Sequence, residues 1–84
     1  QQRFETPAGQ LEELRARVSE VTERQRGIYL ITLEDGAQWL FTDSVPFSYR
    51  PPRPGDRVEI DRASLGSFLL TFDRQASVRV RRIR

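Results

Sequence analysis

The stretch "LEELRARVSEVTERQRG", Leu11 to Gly27, can be read in two periods, and the fold class turns on which one the chain obeys. Leu11, Leu14, Val18 and Val21 fall at helical spacing, with Glu13/Arg17 and Glu20/Arg24 as favourable pairs four apart. Leu14, Ala16 and Val18 also alternate with Arg15, Arg17 and Ser19, as on a half-buried strand, and β-branched Val and Thr become frequent further on. Periodicity alone favours the helix.

Downstream the pattern is β throughout. "GIYLITLEDGAQWLFTD" predicts strands over Ile28–Leu33 and Ala37–Thr42 joined at Glu34-Asp35-Gly36, because Gly accepts the positive φ of a tight turn. "SVPFSYRPPRPG" follows as a stiff loop, its four prolines fixing φ and removing backbone donors. Pro54-Gly55-Asp56 turns the chain into a strand over Arg57–Arg62, with Val58 and Ile60 on one face and Arg57, Glu59 and Asp61 on the other. Ala63–Gly66 reads as a bend or bulge. Phe68, Leu70 and Phe72 then enter the core, with Leu69 breaking the alternation. In "SVRVRRIR", Val78 and Val80 alternate with Arg79 and Arg81.

Eighty-four residues allow one small core. With 37% hydrophobic and 31% charged residues the chain reads as globular, and its apolar runs are far too short to cross a bilayer. Cys, His and Lys are absent, which removes thiolate, imidazole and Schiff-base chemistry together with the usual zinc ligands. A non-enzymatic chain with no cofactor is expected. All 14 basic residues are Arg, whose planar fork suits carboxylates and phosphates. Residues 1–43 hold five Arg against eight acids and residues 44–84 nine Arg against four, a split of −3 and +5. A chain beginning at Gln1 reads as trimmed or processed. If an export signal was removed there the expected compartment is the periplasm or the exterior, and otherwise the cytoplasm.

At "EDGAQWLFTDSVPF", "RPGDRVEIDRASLGSFLLTF" and "SVRVRRIR" the chain resembles a group of small proteobacterial proteins. They share Leu-x-x-Gly-x-x-Trp, Pro-Gly-Asp-x-Val-x-Ile-x-Arg-x-x-Leu-Gly-Ser and a closing Val-Arg, matched here by Leu33, Gly36, Trp39, Pro54–Asp56, Val58, Ile60, Arg62, Leu65–Ser67, Val80 and Arg81. The resemblance covers about two-thirds of the chain. It implies a compact SH3-like or similar β-barrel, often behind an export signal, with no established activity and no functional residues to carry over. Leu40 and Phe41 depart from the polar residues common in the group, and the proline-rich loop is unusually long. The resemblance also favours a strand over residues 15–24, leaving a short helical turn near Leu11–Leu14. The expected architecture is therefore mostly β: a single small SH3-like or OB-like barrel of five to six strands over residues 11–84, with residues 1–10 as a short N-terminal tail.

Two surfaces could carry function. Trp39, with Phe41 on the same face, and Phe47 and Tyr49 on the adjoining loop would form an aromatic platform flanked by Arg50 and Arg53, suited to an extended protein or peptide partner. For Trp39 and Phe41 the core is the better reading, because a domain this small needs its large aromatics inside. Arg79, Arg81, Arg82 and Arg84 would contact a polyanion, whether RNA, DNA or anionic lipid, or else form a solvated edge protected by its charges. The scattered carboxylates form no Ca²⁺ loop, and Asp35, Asp56 and Asp73 sit where turns want Asp. "RPPRP", Arg50 to Pro54, has P-x-x-P spacing but reads better as a rigid connection than as a ligand. Partner identity and oligomeric state are not legible.

Overall fold

The computed structural model describes residues 13–63 and 66–84. It contains six antiparallel strands: β1 (Glu13–Gln25), β2 (Ile28–Leu33), β3 (Gln38–Phe41), β4 (Arg57–Arg62), β5 (Phe68–Thr71) and β6 (Val78–Arg82). They close into a barrel in the order β1-β2-β3-β6-β5-β4. The mostly β class, the small barrel and the number of strands are as expected. No helix is long and apolar enough to cross a membrane among the described residues. The tail expected at residues 1–10, together with Leu11 and Glu12, lies outside them.

The opening ambiguity resolves to a strand, and Leu14, expected in a helical turn, already belongs to β1. The physical reason is a bulge. Leu14, Ala16 and Val18 pair with or lie beside β4 in strict alternation, and the register to β2 then shifts between Val18 and Glu20. One extra residue in a period-two pattern places Val21, rather than Glu20, opposite Ile31 and against the core. Leu14, Val18 and Val21 thereby acquire a helical spacing without a helix.

The barrel is two three-stranded meanders, β1-β2-β3 and β4-β5-β6, joined along two seams. At one seam Leu14 pairs with Ile60 and Ala16 with Val58; at the other Phe41 pairs with Val80. The relatively acidic and basic halves of the sequence thus build opposite half-walls. Among the described residues every strand has a neighbour on both sides.

Turn chemistry sets the registers. At the β2–β3 turn Gly36 has φ +93°, and Asp35 Oδ1 accepts the Ala37 N–H at 2.9 Å. Between β5 and β6, Asp73 (φ 58°) and Arg74 (φ 63°) both adopt left-handed backbone, the combination a two-residue hairpin turn needs to match strand twist.

The core is filled by Trp39, Phe41, Ile31, Leu33, Ile60, Leu70, Val18, Val58 and Val80, all under 2% exposed. Burying each large apolar side chain contributes about 1.5–3 kcal/mol. Trp39 meets Phe68 edge-on with centroids 5.1 Å apart. Its Nε1 is buried without a hydrogen-bond partner among the described residues. Leu69, which broke the alternation, sits half-buried on the outer wall opposite Asp61 and Arg79.

Candidate functional site

The segment between β3 and β4, residues 42–56, crosses one end of the barrel and is held at several places, the first at Thr42, whose N–H donates to the Arg79 carbonyl at 2.9 Å. The Val45 N–H donates to the Gly27 carbonyl at 2.9 Å. The Arg50 N–H donates to Gln75 Oε1 at 2.8 Å while Gln75 Nε2 donates to the Arg50 carbonyl at 2.9 Å. Pro52 is buried. The Gly55 N–H donates to the Val18 carbonyl at 2.7 Å, and the Val18 N–H donates to the Asp56 carbonyl at 2.8 Å. Asp56 also closes its own turn, accepting the Arg53 N–H at Oδ2.

Pinning at Gly27 leaves a cleft of about 590 Å³ between the β1–β2 turn and this segment. Its walls include Glu23, Arg26, Tyr29, Pro46, Phe47 and Tyr49. Tyr29 and Tyr49 both stand edge-on to Phe41, at 5.6 and 6.0 Å between centroids, so a core ring fixes the two tyrosines. Phe47 at the lip is fully exposed, at 106%. Burial raises the Tyr49 hydroxyl above its ordinary value, with Tyr29 adding to the shift; burial and then the Glu23 carboxylate, by charge and hydrogen bond, do the same for Tyr29. Both phenols are neutral at ordinary pH. The Tyr49 hydroxyl is buried without a partner among the described residues.

The expected platform is therefore only partly assembled. Phe47 and Tyr49 come together, but Trp39 is corrected: at 1% exposure it is core and offers no face to a partner. Its alternation with Phe41 on a four-residue strand puts both inside. Arg50 acts as a strut, its backbone clasped by Gln75 and its guanidinium 3.3 Å from Asp73. Arg53 is exposed and lines a separate depression beyond Tyr49, with Arg50, Pro51, Pro52 and Phe72. Tyr29, Glu23 and Arg26 were not legible as site residues, because only the tertiary contact of Gly27 with Val45 brings them there.

The second expected cluster is also divided. Arg79 and Arg81 both point outward from β6, but Arg79 lines a depression with Asp43 and Gln75, whereas Arg81 and Arg82 line a groove with Arg24. Arg84 is exposed, and its carbonyl accepts the Gln38 N–H at 3.1 Å and Arg82 Nε at 2.9 Å. Among the described residues no group of three or more His, Cys, Asp or Glu side chains is placed to hold a metal ion. Compared with known proteins, the chain matches no family model, no curated protein and no solved structure.

Proposed function

We propose that this barrel, of the SH3-like or OB-like kind, is a non-enzymatic module that binds an extended segment of a protein partner in the Tyr29–Phe47–Tyr49 cleft. The observation that carries this reading is the fully exposed Phe47 beside two half-buried tyrosines. A large apolar ring held in water beside a cleft with further rings gains most by being covered, and aromatic walls with a proline suit an extended chain. Glu23 and Arg26 at the rim supply one charge of each sign for orienting it. The residue types available, without Cys, His or Lys, fit binding better than catalysis. The resemblance to exported proteobacterial proteins supports a place in the cell envelope, periplasmic or secreted.

Selection of phage-displayed peptides on the immobilised full chain tests the reading. Enriched peptides should bind at least about tenfold more weakly to Phe47→Ala, the loss expected when an anchor ring is truncated. They should also shift the amide resonances of residues 44–49. No enrichment, or equal affinity for Phe47→Ala, would overturn it.

A further inference from the structure

On a different face lies a shallow groove of about 810 Å³, lined among others by Arg24, Ile28, Leu40, Arg81, Arg82 and Ile83. We infer that this face docks on the surface of an anionic membrane, the arginines meeting lipid phosphates and Ile83 entering the headgroup layer.

The placement follows from the register. Leu40 on β3 pairs with Arg81 on β6, and both point outward. Beyond Arg82 the ladder continues: the Ile83 N–H donates to the Gln38 carbonyl at 2.9 Å and the Gln38 N–H to the Arg84 carbonyl at 3.1 Å. Arg81 and Ile83 therefore stand two residues apart on one outer face, and Ile83 is 40% exposed. The outward-facing Arg81, with Arg24 also lining the groove, thus borders an aliphatic floor on paired backbone.

Charge complementarity identifies the partner. Among the described residues no carboxylate lines the groove and no ion pair involves Arg24, Arg81 or Arg82. Along the outer wall the row from Ile83 runs through Gln38 and Thr32 before reaching Glu20, three strand spacings or about 14 Å away. Among the described residues the groove's one ring is that of Phe41, which is 1% exposed. Single-stranded nucleic acid would want an exposed ring for stacking. Arginines around aliphatic side chains match a surface with phosphates outside and acyl chains beneath.

The test is sedimentation of the full chain with vesicles of phosphatidylcholine alone or mixed with phosphatidylglycerol, at low and high salt, with an RNA oligonucleotide and heparin as separate probes. Binding is expected only to the mixed vesicles, and it should weaken as salt rises. Arg81→Gln should lower the partition coefficient about fivefold, and Arg24→Gln with Arg81→Gln roughly 25-fold, from about 1 kcal/mol per arginine near the surface. Ile83→Ser should lower it severalfold, and Arg57→Gln, outside the groove, should leave it unchanged. Equal binding to neutral vesicles, capture of RNA or heparin with inert vesicles, or full partitioning of the double variant would each overturn the inference.

Discussion

The side-chain amide of Gln75 pairs with the backbone of Arg50 as another strand residue would, accepting its N–H at 2.8 Å and donating to its carbonyl at 2.9 Å. One side chain on the β5–β6 turn thus satisfies both backbone polar groups of Arg50 in the segment between β3 and β4. Gln75→Ala should cost about 1 kcal/mol, because water can reach both orphaned groups, and should speed hydrogen exchange at the Arg50 amide. A denaturation midpoint and an Arg50 exchange rate both equal to wild type would contradict this.

Gly27 is the other anchor. A Cβ there would stand 2.8 Å from the Val45 carbonyl oxygen, on a backbone at φ +78°. Gly27→Ala should lose about 1–2 kcal/mol from the left-handed backbone alone. It should also push the segment off the β1–β2 turn and open the cleft. Urea denaturation measures the first effect; loss of slow exchange at the Val45 amide measures the second. A variant as stable as wild type would show that the contact yields easily.

The two cleft tyrosines link stability to alkaline pH. Their folded values lie above the ordinary 10.0, so the folded state holds protons that the unfolded chain has released. Their contribution is complete below pH 10.0 and is lost as pH rises through the folded values. Stability should fall over that window, and less so in Tyr49→Phe. Absorbance titration of tyrosinate, followed in wild type and in each Tyr→Phe variant, checks the order of ionisation.

Across the β1–β4 seam Arg17 lies directly opposite Arg57, both exposed. Like charges so placed destabilise a sheet by a fraction of a kcal/mol. Arg57→Glu should therefore raise stability by about 0.2–1 kcal/mol, and the gain should shrink in high salt. Thermal melts at two ionic strengths distinguish this from a general effect of net charge, which Arg62→Glu would mimic.

Local chemistry made much of the barrel legible. Asp35-Gly36 marked the β2–β3 turn, and Pro54-Gly55-Asp56 preceded a strand whose bounds, Arg57–Arg62, coincide with β4. Residues 14–21 misled because a bulge changes the phase of an alternating pattern and leaves no mark of its own in composition. The site was legible only where it is local, at Phe47 and Tyr49. Alternation ties Trp39 to the face of Phe41, and a small domain's need for large aromatics inside already favours the core, where both lie; the partners on the β1–β2 turn come from a contact that sequence spacing does not encode. The basic groove combines strands from both ends of the chain, so Arg24 and Arg81 meet only once the barrel closes.

The four prolines between β3 and β4 bear on how the barrel forms. Neither meander can bury its inner face alone, and the seams join residues as distant in sequence as Leu14 and Ile60. Such non-local pairing makes for slow folding, limited by the entropy lost when the second meander finds the first. A connector already restricted by Pro46, Pro51, Pro52 and Pro54 has fewer conformations to give up. The segment that carries the exposed Phe47 also shortens the search by which the barrel's two halves meet.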